Sequence, residues 1–347
     1  MIDEPRGGES RPDMFRSTPA IGDLSWDFDV LATNVVLAGI SMMLLAVTAE
    51  LFNKTVEEND KTFRRWFGFI IGPMEAIGSA LHGLIGSSAA RSALTGVLVP
   101  LGVLLAGGLI FAVAEPGAGL NKQTLVVMVG LVVTLGVLTY YYNGAQVFMS
   151  KRFGVGAVIQ LFPVGVLFAV LSVALTRLDD IEPLVVYGFV AATVTVGGME
   201  RTRSQEGHVI FFPALALLGL CVVSWLLLSP FRDLAEDNTS MLAALPEAIA
   251  VGVLVGGLEA TFIQMVPLKY LDGHKVWIWN KVAWVLIAGV TAFLLWEILL
   301  NQERDSMSAV SEGSAEVAII VMGVCAVLSL SLYLFFRVRN AMLGAPA

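Results

Sequence analysis

Glu259 is the residue whose type and position most invite chemistry, because a carboxylate inside an apolar run needs a partner, water or a functional role. It falls in the run 242–266, about seven residues and hence roughly 10 Å from the end nearest Lys269 at 1.5 Å per residue. Lys281, His82 and Lys269 are its candidate partners. One reading is a proton- or cation-handling site. The other, a structural polar clamp, is favoured because proton pathways use several relays and this run holds one acid in its body. Glu247 and Glu297 fall near the ends of their runs and are expected to snorkel toward water. After Glu259 comes a polar turn with Lys269, Asp272, Gly273, His274 and Lys275, then Trp277 and Trp279 at headgroup level; His274 is expected to face solvent.

No catalytic motif is complete. A zinc protease needs an HExxH-like pair, and none of His82, His208 or His274 is followed by the required Glu and second His. Glu57-Glu58 is similar to the paired glutamates of prenyl-endopeptidase-like enzymes, but Thr62 stands where that motif places Arg, and Arg64 comes later. Gly86-Ser87-Ser88 is only partly like a rhomboid Ser turn, and no run carries an Asp in its core, which excludes the two-aspartate proteases. Cys221 and Cys325 lie in apolar runs without a second ligand at metal spacing, so no metal and no cofactor are expected. An intramembrane enzyme without a recognised motif is therefore the least favoured function.

The elements that must position these residues are membrane helices. At 56% hydrophobic and 14% charged, the chain lies far from the globular norm of about 25% charged. Apolar runs of roughly 20 residues suit helices crossing a core of about 30 Å and exclude a barrel of short alternating strands. The expected fold is all-α, a polytopic bundle over 28–340, with spans near 28–49, 94–113, 124–142, 154–175, 183–198, 209–228, 242–266, 277–296 and 317–336. Nine spans put the termini on opposite sides, and 14 of the 21 Lys and Arg residues fall on one side. That side is expected to be cytoplasmic, with the N-terminus outside and 341–347 as a short cytoplasmic tail. Residues 1–27, rich in Gly, Ser, Pro and charge, are expected to form a disordered extracytoplasmic tail. The lipid bilayer is then the first partner, and the localisation that of a multi-pass protein of a bacterial cytoplasmic membrane; nothing points to nucleic acid.

The connection 50–93 is long and should be cytoplasmic. Glu50, Asn53 and Glu57 share a face if the first helix continues beyond the membrane, and Arg64 and Arg65 beside Phe63 and Trp66 suit an anionic interface. The segment 67–86, broken by Gly72, Pro73, Glu75 and His82, is expected to be interfacial or re-entrant. Gly252 and Gly256 form a small-residue face that fits either an internal contact or a homo-oligomer.

Two blocks resemble one family. LFNKTVEEN with RRWFG, and GLEATFIQMVPLKYLDGHKVW, are similar to blocks of the FGLLP-motif-containing multi-pass membrane proteins of actinobacteria. Here the naming motif keeps only its ends, Phe262 and Pro267. Members often carry extracellular immunoglobulin-like repeats on the N-terminal side, so the resemblance implies an N-terminus outside; it implies no activity. The favoured function is a non-catalytic membrane platform whose cytoplasmic face docks a protein partner through Glu57, Glu58, Arg64, Arg65, Trp66, Lys269, Asp272, His274 and Lys275. The alternative is a transporter or channel using Glu259.

Overall fold

The computed structural model describes residues 18–63, 65–66, 93–114, 119, 122–161, 191–196, 200–237, 241–269, 271–300 and 314–342. Long helices dominate: α1 (Phe28–Glu58), α2 (Ala93–Ala114), α3 (Lys122–Arg152), α4 (Arg203–Leu226), α5 (Leu228–Asp237), α6 (Leu245–Gln264), α7 (Asp272–Trp279), α8 (Lys281–Leu295) and α9 (Ser314–Met342). Among the described residues, six helical stretches are long and apolar enough to cross a membrane, and the apolar helix Pro100–Val113 is shorter. The chain is thus a multi-pass helical membrane protein by length and composition.

Helices α3, α4 and α6 pack on one another and form the centre; α2 lies on α3, α8 on α6, α1 on α8, and α9 on α1. Between membrane helices no difference in apolarity drives association, so close backbone approach has to do it. Small residues on α6 supply that approach. A Cβ on Gly130 of α3 would come within 2.9 Å of Ala248, one on Gly252 would strike Thr134, and one on Gly257 would strike Cys221. Gly252 therefore serves an internal contact with α3, and Gly256 is buried on the same helix. At the periphery α9 exposes Val327, Leu328, Leu334 and Phe335, as a lipid-facing helix should.

Three expectations change. Runs 154–175 and 183–198 are not helical where they are described: β1 (Ala157–Leu161) and β2 (Ala191–Thr195) form an antiparallel ladder from Ala157↔Thr195 to Leu161↔Ala191. Val158, Ile159, Thr193, Val194 and Thr195 are β-branched, which favours the pleated conformation, and apolar length alone does not separate the two states. The run 277–296 is broken at Asn280, extended at φ −153° and ψ 108°, whose side chain caps α8 by accepting from Val282 N (2.9 Å) and Ala283 N (3.2 Å). Trp277 and Trp279 consequently belong to the short α7. Finally, Thr18, Pro19, Ala20 and Leu24, expected in the tail, are buried. The segment 67–86 and residues 1–17 lie outside the described residues.

Candidate functional site

Polar side chains gather at the two ends of the bundle. At the basic end, which carries Lys151, Arg152 and Arg203, α3 presents Thr139, Tyr142, Asn143, Gln146 and Ser150 at i, i+3, i+4, i+7 and i+11. All five are buried in an otherwise apolar helix and need partners. The Tyr142 hydroxyl and the Gln146 amide each donate to Asp272 Oδ2 at 3.0 Å, and Lys275 Nζ lies 3.5 Å from Oδ1. Thr193 of β2 donates to Asn143 Oδ1 at 3.2 Å. Ser150 donates to the Val155 carbonyl at 2.8 Å and accepts from Arg201 Nε and Nη2 at 3.2 and 3.0 Å. Burial lowers the Arg201 guanidinium below its ordinary value, against the opposing pull of Glu206 and Asp272.

The stretches holding Asn53 and Lys269 meet at this same end. Asn53, on the extended end of α1, donates from Nδ2 to the Pro267 carbonyl and accepts at Oδ1 from Lys269 N, both at 2.9 Å. Glu57, one turn on, pairs with Lys269 Nζ at 2.9 Å. The Met265 carbonyl accepts from Trp284 Nε1 at 2.7 Å, and α7 lies so close that any Cβ on Gly273 would strike the Met265 backbone. The Trp284 bond satisfies the C-cap carbonyl that the end of α6 leaves open.

At the opposite end the short α5 turns Arg232 back onto the bundle. Its Nε lies 3.1 Å from Glu247 Oε1 in the first turn of α6, where a carboxylate also suits the helix dipole. Its Nη2 donates to the Thr18 carbonyl at 2.8 Å, its Nη1 lies 3.6 Å from Asp23, and Trp225 Nε1 donates to the Pro19 carbonyl at 3.0 Å. Here Glu247 is 1% exposed and Glu297 6%, so neither snorkels. Glu297 sits in a π-helical turn, Trp296–Leu300, and its Oε2 accepts from Asn34 Nδ2 at 2.7 Å while Trp296 Nε1 donates to Ser41 at 3.0 Å. Asn34 and Ser41 are seven apart on one face of α1, and the wider π turn lets two successive residues reach that face.

Glu259 is half-buried with Oε2 enclosed, and it lies seven residues after Gly252, hence on nearly the same stripe of α6. Of its candidate partners, Lys269 holds Glu57, Lys281 lies over the Trp277 ring at 4.7 Å, and His82 is outside the described residues. His274 is half-buried rather than solvent-facing, with Nδ1 enclosed. Arg64 is also outside the described residues. A cavity of about 20 Å³, enough for about one water, lies between Thr139, Tyr142, Asn143, Ala191, Ala260 and Gln264. The Tyr142–Gln146–Asp272 group is hard to find from sequence, because three consecutive tyrosines near a helix end have the composition of an interfacial aromatic belt. Tyr140 and Tyr141 do face outward, at 44% and 42% exposed, whereas Tyr142 is 5% exposed; polar spacing along α3 was the available signal. Among the described residues no three His, Cys, Asp or Glu side chains are grouped to hold a metal ion.

Family models, curated proteins and solved structures contain no match to this chain. Fold and site define a class only: a multi-pass helical membrane protein with groups of bonded polar side chains at both ends of its helices.

Proposed function

We propose that this chain is a non-catalytic platform of a bacterial cytoplasmic membrane, with its basic end in the cytoplasm, where it presents a preformed surface to a protein partner. The observation that carries the reading is the two-point bond of Asn53 to Pro267 and Lys269, which makes the family-like blocks one surface. A surface fixed beforehand loses less conformational freedom on binding. The docking set narrows accordingly to Glu57, Glu58, Arg65 and Lys269, since Asp272 faces Tyr142 and Gln146 and Trp66 packs on Phe335 and Phe336.

The test is a photo-crosslinking residue placed at Glu58 or, as a control at the opposite end, at Leu234, in membranes of the native host. A discrete adduct from position 58 that disappears with Asn53→Ala supports docking; the same adducts from both positions remove it. Transport through Glu259 is the second reading, resting on its enclosed carboxylate oxygen. Proton flux in liposomes that is abolished by Glu259→Gln would reverse the order.

A further inference from the structure

The last two turns of α9 carry an open groove of about 610 Å³ lined by Leu334, Phe335, Val338, Arg339 and Met342. These positions fall on one helical face, and Val327 continues the exposed apolar strip toward the middle of the helix. The groove ends in a cation. Arg339 is half-buried, its Nη1 donates to the Thr62 hydroxyl at 3.4 Å, and its guanidinium lies 5.7 Å from the Phe336 ring. Among the described residues no carboxylate pairs with Arg339, whereas Arg232, Lys269 and Lys275 each have one. Thr62, accepting from Arg339, keeps its own hydroxyl proton to donate. Trp66, half exposed, packs 5.3 Å from Phe336 and 5.8 Å from Phe335, beside the groove.

We propose that this groove holds one phospholipid with an anionic headgroup. An acyl chain lies along Val338, Leu334 and Val327, the phosphate meets Arg339 and Thr62, and Trp66 sits at the glycerol level, where its amphipathic ring belongs. Charge complementarity selects the headgroup: a guanidinium without an acid favours net negative charge, and a zwitterionic lipid brings an ammonium that opposes it. One such cation corresponds to a preference of roughly five-fold. This site is independent of the protein-docking reading, because it concerns the lipid-facing side of α9.

The experiment uses the full chain in phosphatidylcholine vesicles containing phosphatidylglycerol, with brominated acyl chains on one lipid or the other. Quenching of Trp66 is read as the difference between wild type and Trp66→Phe. Brominated phosphatidylglycerol should quench roughly five-fold more effectively than brominated phosphatidylcholine. Arg339→Gln should remove the difference, Arg339→Lys should keep most of it, and Thr62→Val should reduce it. Equal quenching by the two lipids in wild type overturns the proposal, as does a preference that survives Arg339→Gln. Failure of both lipids to quench also overturns it, because a protein surface, such as a second copy, then covers the groove. Should Arg339→Gln fail to fold, the wild-type comparison and Thr62→Val still decide.

Discussion

The two ends of the bundle solve the same problem differently. At the end holding Arg232, a single guanidinium serves Glu247, Asp23 and the Thr18 carbonyl, so a few charged contacts carry the junction. At the basic end, Asp272 is met by Tyr142, Gln146 and Lys275, and the neighbouring bonds of Asn143, Ser150 and Asn53 are mostly between neutral groups. A buried charge stripped of its partner is costly, whereas one neutral bond removed from a network leaves the others in place. The end held by Arg232 should fail abruptly and the basic end by degrees.

The sharpest way to break that contrast is Arg232→Leu, which leaves the Glu247 carboxylate buried beside an apolar group. Unfolding in mixed micelles should show a loss of about 3–5 kcal/mol, most of it recovered in the double variant with Glu247→Leu. A single-variant loss no greater than that of Tyr142→Phe would erase the difference between the ends. Next comes Gly273→Ala, which drives a methyl into the Met265 backbone; a loss of about 2 kcal/mol is expected, with α7 the first element to lose hydrogen-exchange protection. Tyr142→Phe removes one of the donors to the Asp272 carboxylate and should cost about 1.5 kcal/mol in the same unfolding assay. Glu57→Gln is the mildest. Both partners of its ion pair are about half exposed, so the change should stay below about 0.5 kcal/mol and shrink further in salt.

Much of the central packing was legible. The helix does run past its apolar stretch to Glu58, the condition under which Asn53 and Glu57 share a face, and the small residues of the 242–266 run marked its packed face. The buried carboxylates were harder. Glu247 and Glu297 lie near the ends of their runs, but distance from an end does not say whether a neighbouring segment folds over it. Arg232, itself tied to Thr18 and Asp23, meets Glu247, and Asn34 meets Glu297; these contacts draw on residues far apart in the chain. The π turn at Trp296 has no local sequence signature that apolar periodicity would register.

The strands show a different limit. Alternation of basic loops detects one missed or invented span, because every later loop then changes sides. It is blind to a neighbouring pair. Leu161 and Ala191 are partners in the ladder, so the chain returns to where it left, as two adjacent spans would also make it do. The β-branched run at Thr193, Val194 and Thr195 held the distinguishing information, in side-chain shape rather than in hydropathy.

The packing of α1 also has a consequence in time. It packs chiefly on α8 and α9, and Asn34 meets Glu297 across 263 positions of the chain. At about 5–20 residues per second, a ribosome needs roughly 15–50 s to make that stretch. Throughout that interval the first helix waits in the membrane with Asn34 lacking its eventual acceptor. Biogenesis of this chain therefore includes a period in which α1 must be held by water, lipid headgroups or an insertion factor until Glu297 emerges.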